Sequence, residues 1–161
     1  IFFHMNAKYL NIYNNLIKLT RNKNLYLNLV ENETFSDRIT FLLLHMSFFI
    51  KTYKENTDKL TIQQIHDFIF KQIELSIREM GYGDVSVNKN MKKYVNFFYA
   101  ILNKVDKWNL IDTEEKCEIL NNFINNSHNI RFYTNYFDKL TTFYKNNTLN
   151  YFTKDIEEPK F

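Results

Sequence analysis

Only two glycines occur in the 161 residues, one residue apart, in Arg78-Glu79-Met80-Gly81-Tyr82-Gly83-Asp84. The single proline, Pro159, lies near the end. Turns are therefore scarce, and such a chain folds into a few long helices rather than many short strands. Glycine reaches positive φ without a Cβ clash, so it ends helices and shapes tight turns. Two glycines at one point predict that a helix stops at Gly81, that the chain turns through Gly83, and that a new helix follows. Met80, Gly81 and Gly83 are the candidate turn residues.

Apolar spacing on either side of the turn agrees. Met5, Tyr9, Ile12, Tyr13, Leu16 and Leu19 recur at intervals of three and four, one face of a first helix. Leu25 to Val30 is a short apolar run, a helical turn or a plug against the core. Ser36 or Asp37 is expected to cap a second helix reaching about Lys54. Its centre, Ile39 to Ile50, carries no formal charge. Those residues cover about 18 Å as a helix, short of a bilayer core, so the segment reads as a central helix buried on most sides. A membrane-dipping segment is the alternative. His45, inside it, reads as a satisfied core histidine.

Thr61 to Gln64 has the pattern of a capping box opening a third helix. Ser86 is expected to cap a fourth, reaching Trp108 with Met91, Val95, Phe98, Leu102 and Val105 on its apolar face. Asp112 to Glu115 opens a fifth. Asn125 to Asn129 is a polar break, and Ile130 to about Asn146 is a sixth. The expectation is an all-α fold: a single compact domain of about six helices spanning residues 1–161, with 147–161 an extended tail. The chain begins at Ile1 without a Met, which reads as processing or trimming, with room for a targeting segment upstream.

The residues argue against catalysis and against a metal or cofactor. Histidines 4, 45, 66 and 128 are too widely spaced for a zinc motif. One cysteine, Cys117, rules out an internal disulfide and any multi-cysteine metal site. Gly81-Tyr82-Gly83 follows a helix rather than a strand and lacks phosphate-loop spacing. The net charge of +3 is mild for a dedicated nucleic-acid binder. Phe, Tyr, Asn, Ile and Lys are abundant together, as an AT-rich coding sequence would make them, so most aromatics read as core.

Arg78-Glu79-Met80-Gly81-Tyr82-Gly83-Asp84, a short spacer, the basic stretch Lys89-Asn90-Met91-Lys92-Lys93 and then Phe97-Phe98-Tyr99 resemble the signature of the ubiquinol–cytochrome c chaperone family. Phe35-Ser36-Asp37-Arg38 leading to Leu43-Leu44-His45-Met46 is similar to that family's approach to its central helix. The resemblance is strongest from about 35 to 100. Val30 to Thr34 lacks the proline usual there, and Gln72-Ile73-Glu74 replaces the Asp-Met-Asp of bacterial members. The resemblance implies a non-enzymatic mitochondrial assembly factor for respiratory complex III, on the matrix side and associated with the inner membrane. It implies binding of newly made cytochrome b together with a small helical partner. Contact with the mitochondrial ribosome occurs in some lineages, and peripheral membrane contact is compatible. It implies no small-molecule substrate.

The candidate binding residues, for a partner or nucleic acid, are Arg78, Glu79, Asp84, Lys89, Lys92, Lys93, Phe97 and Tyr99. The lysines are expected near a helix N-terminus, where cations oppose the helix dipole, which favours an acidic partner over a stabilising role. A solvated charged face is the plainer alternative, and a structural protein contacting ribosome or RNA is the second functional reading. Phe97, Phe98 and Tyr99 are adjacent, so one helix cannot aim all of them at the same core.

Overall fold

In the computed structural model, which describes residues 2–31, 33–125 and 127–161 and side chains from Asn6 onward, helix α3 (Phe35–Tyr53) runs through the centre. Every residue from Phe41 to Ile50 is buried. A helix apolar on all sides must be covered on all sides. Helices α1 (Phe2–Thr20), α4 (Lys59–Glu79) and α5 (Asp84–Val105) close a four-helix ring with α3, in the order α1, α3, α5, α4. Helix α7 (Ile130–Lys145) covers the remaining face of α3, and α6 (Thr113–Phe123) packs on α7 and α5. A one-turn helix α2 (Asn24–Leu27) plugs the core with Leu25. No helix among the described residues is long and apolar enough to cross a membrane.

The described residues hold seven α-helices and two 3₁₀ turns, Trp108–Leu110 and Leu149–Thr153, and the all-α expectation is met. The helix beyond the expected six is α2, the helical-turn form of the Leu25–Val30 run. The positions of Ile1, Asn32 and Asn126, and the side chains of His4 and Met5, lie outside the described residues.

Three helix starts differ from expectation, in each case because an earlier residue is the N-cap. Helix α3 is capped by Thr34, not Ser36 or Asp37. The Thr34 Oγ1 accepts from the Asp37 amide at 3.1 Å, and the Asp37 carboxylate accepts from the Thr34 amide at 3.0 Å, a reciprocal capping box. Helix α4 is capped by Asp58, which accepts from the Thr61 amide at 3.0 Å, so Thr61 is its third residue. Helix α5 starts at Asp84 with Gly83 as its N-cap, two residues before Ser86. Asp112 caps α6 as expected, accepting from the Glu115 amide at 2.9 Å.

Residues 147–161 cross onto α1. The buried Asn15 amide donates to the carbonyls of Phe152 and Lys154 at 2.9 and 2.7 Å and accepts from the Ile156 amide at 3.3 Å. Phe152 thereby sits between Phe49, Tyr53, Phe143 and Tyr144.

Two buried residues between Phe41 and Ile50 are polar: Ser47, which donates to the Leu43 carbonyl at 2.7 Å, and His45. Its Nδ1 is 2.6 Å from the Phe41 carbonyl, which can only accept, so Nδ1 carries the proton. Its Nε2 therefore accepts from the Tyr136 hydroxyl, also at 2.6 Å. Burial lowers the His45 pKa to about 4, opposed by the bond to Phe41. The unfolded chain takes up this proton near the ordinary 6.5, whereas the folded chain does not until about 4. Stability from neutral His45 is thus complete above pH 6.5 and is lost as pH falls towards 4, by about 3 kcal/mol. Urea denaturation at steps from pH 7 to 4 should show this slope, and His45→Gln should flatten it. An equally steep slope in the variant would remove His45 as its source.

Candidate functional site

The glycine turn is built as a stop, a reversal and a restart. Helix α4 ends at Glu79. Met80, its C-cap, keeps a right-handed backbone and donates its amide towards the carbonyls of Ser76 and Ile77. Gly81 then takes φ +93°, the one positive φ among the described residues, and its amide donates to the Arg78 carbonyl at 2.9 Å. A left-handed glycine just past a helix is a common terminator, because it closes the last turn with no Cβ to clash. Gly83 is different: at φ −76° and ψ 167° its backbone is extended and open to any residue. Its carbonyl accepts from the Val87 amide and starts α5.

Arg78 straps the turn. Its guanidinium donates from Nη1 to Asp84 Oδ1 at 2.5 Å, and from Nη2 to Glu74 Oε1 at 3.2 Å. Hydrogen bonds from Lys71 and Arg78 hold the Glu74 carboxyl below its ordinary pKa. Asp84 is also the first residue of α5, where a carboxylate favours the positive end of the helix dipole. Arg78 and Asp84 are thus engaged with each other, while Glu79 is exposed.

Lys89, Lys92 and Lys93 are exposed on α5, and among the described residues none makes an ion pair. Lys93 lies over the Tyr94 ring at 5.9 Å. Because α5 begins at Asp84, these lysines stand in its second and third turns, beyond the first-turn reach of the dipole. The expected opposition to the dipole therefore lapses. What remains is a run without acid: after Asp84, α5 carries no carboxylate through Val105.

The adjacent aromatics divide as their helical positions require. Phe98 is core, packed on Phe70 and His66. Phe97 is half-buried and meets Phe123 of α6 edge-on at 5.5 Å. Tyr99 is exposed and its hydroxyl lies 3.3 Å from His66 Nε2. Phe97 thus belongs to the α5–α6 contact.

Two surface residues, Tyr82 and Val85, were not singled out from the sequence, and they stand with the expected turn residue Met80. Met80 is 50% exposed, Tyr82 48% and Val85 86%. Val85 falls outside the Val87, Met91, Val95, Phe98 spacing, and that mismatch was the available signal. Apolar side chains and unpaired lysines together make the α4–α5 tip an amphipathic surface. Cys117 is buried beside Thr134. Among the described residues, no group of His, Cys, Asp and Glu is arranged to hold a metal.

A family model described as ubiquinol-cytochrome C chaperone matches residues 29–128, more than half the chain and including the whole tip. The chain is also similar to a solved structure, the Cbp3 homolog from Brucella abortus. The two share 22% identity and a TM-score of 0.77, with 98% of this chain and 91% of that one covered, a likeness of fold. No curated protein matches the sequence.

The two glycines should respond differently to substitution. Neither has an atom within 4 Å of an added Cβ, so conformation alone decides. Gly81→Val should cost about 1–3 kcal/mol, because a β-branched residue is strained at positive φ. Gly83→Ala should cost less than about 1 kcal/mol, the loss of a favourable N-cap residue. Thermal denaturation of both variants checks the order, and equal losses would contradict it.

Proposed function

We infer the role of this chain from one premise: it belongs to the ubiquinol-cytochrome C chaperone family. Its broad role is therefore that of a chaperone in assembly of the ubiquinol–cytochrome c reductase, complex III. On our reading its client is newly made cytochrome b, held together with a small helical partner subunit. The place of action is the matrix side of the mitochondrial inner membrane, with peripheral contact to that membrane.

The observation that carries this reading is the α4–α5 tip. Met80, Tyr82 and Val85 offer apolar contact to a hydrophobic segment not yet packed into its complex. Lys89, Lys92 and Lys93, next along α5, suit acidic or phosphate groups beside such a segment. The Arg78 strap and positive-φ Gly81 fix the tip, which lowers the ordering cost of binding. Binding needs no reacting group, and the tip gathers none.

The acid-free stretch of α5 also supports a second reading, in which the lysines meet ribosomal RNA. The two differ in salt response and in the need for Val85. RNA binding through lysines weakens steeply with salt and is indifferent to an aliphatic side chain.

Affinity purification of the tagged full chain from its own cells, with mass spectrometry, tests the proposal. Wild type should recover cytochrome b and a small helical subunit. Val85→Asp should reduce cytochrome b recovery several-fold while changing stability by less than about 0.5 kcal/mol, as an exposed position allows. Recovery of neither protein, with normal complex III after depletion, would falsify the assembly role. Loss of ribosomal RNA in Lys89→Gln/Lys92→Gln/Lys93→Gln, with cytochrome b retained, would favour the second reading.

A further inference from the structure

A cavity of about 390 Å³ lies away from the lysine face, among the second half of α1, α2, the start of α3 and the end of α4. That volume falls within the range of about 300–1,000 Å³ typical of small-molecule sites. Ile17, Phe35, Ile39, Leu42 and Ile73 form its apolar lining. Three of its four hydroxyl donors, on Thr20, Tyr26 and Ser76, are already spent. Tyr26 donates to the Thr20 carbonyl and Thr20 to the Ile17 carbonyl, both at 2.7 Å. Ser76 donates to the Gln72 carbonyl at 3.0 Å. A carbonyl or anionic group inside would lose its water and find only the Tyr13 hydroxyl as a donor, a net cost. A hydrocarbon chain gains by burial there.

The rim has the opposite character. Arg21, Lys23 and Arg38 stand at the mouth with one lining carboxylate, Glu33. Glu33 faces Arg38 at 3.6 Å, and nearby Asp37 is held in the α3 capping box. Among the described residues, Arg21 and Lys23 have no carboxylate partner. The site is thus largely apolar inside and net positive at its edge.

We propose that this cavity binds a single acyl chain ending in an anionic head, the chain on the Ile17–Ile39–Leu42–Ile73 lining and the head between Arg21 and Lys23. This site is separate from the tip and does not depend on the assembly role. The test uses the full chain and two lysolipids of equal chain length below their micelle concentrations, anionic lysophosphatidylglycerol and zwitterionic lysophosphatidylcholine. Calorimetry and native mass spectrometry should find one lysophosphatidylglycerol per chain. Arg21→Gln/Lys23→Gln, on exposed positions, should weaken it at least tenfold and leave lysophosphatidylcholine unchanged. Ile17→Trp, filling the cavity, should abolish both; if that variant fails to fold, the rim variant still decides. Non-saturable binding, binding of several lipids per chain, or equal loss for both lipids in the rim variant would overturn the proposal. So would displacement of the lysolipid by an apolar peptide with a free C-terminal carboxylate at lower concentration than lysophosphatidylcholine requires.

Discussion

The fold depends on covering α3. Ten consecutive buried residues, Phe41 to Ile50, leave no solvent-facing side, whereas an ordinary surface helix buries only a stripe. Packing in a four-helix ring would protect three sides at most. The rest requires α7, and α7 must lie along α3 closely enough for Phe48 to stack on Phe137 at 4.9 Å and Phe41 on Tyr133 at 5.6 Å. This explains where most of the aromatic content goes: large flat side chains fill the seam between two closely aligned helices.

Such a core creates a second demand, because tyrosine carries a hydroxyl into it. Buried polar groups need partners; Tyr136 finds one on the His45 imidazole, and Tyr26, Tyr53, Tyr133 and Tyr144 find them on backbone. Tyr53 donates to the carbonyls of Tyr144 and Asn147, closing the end of α7. Tyr133 donates to the Leu25 carbonyl and pins α2. Tyr144 reaches the His45 carbonyl. Burial pushes the Tyr26 hydroxyl to about 12 and raises Tyr53, Tyr133, Tyr136 and Tyr144, so all stay protonated donors. Asp138 does similar work outside α3, accepting from both Trp108 Nε1 and Lys116 Nζ at 2.9 Å. These contacts join segments distant in sequence, so they specify which helices pair as well as how tightly.

What the sequence revealed follows the range of the interactions. Helix existence, the Asp112 cap and the glycine stop depend on neighbours within four residues, and all were readable. Where two caps compete, local chemistry gives the candidates but the remaining backbone selects, so Thr34 supplants Ser36 and Asp58 supplants Thr61. The buried role of Asn15 was not readable from its neighbours, since its partners lie some 140 positions away. At the tip, Gly81 was legible from rarity and position. The exposure of Tyr82 and Val85 was not, because an apolar residue is surface only when no other helix arrives to cover it. Phe97 shows the converse: α6 does arrive.

The motif around the turn therefore divides by physical role. Gly81 supplies a backbone state unavailable to other residues without strain. Arg78 and Asp84 lock the two helix ends, and an arginine already shared between Glu74 and Asp84 has little charge left to offer a partner. Exposed ion pairs of this kind contribute at most about 1 kcal/mol each, so their value lies in orientation. They fix where Met80, Tyr82 and Val85 sit relative to Lys89, Lys92 and Lys93. A conformationally fixed tip with uncommitted apolar and cationic side chains can bind without first being ordered. The sequence motif is best understood as the brace, with the contact surface formed by the residues it holds in place.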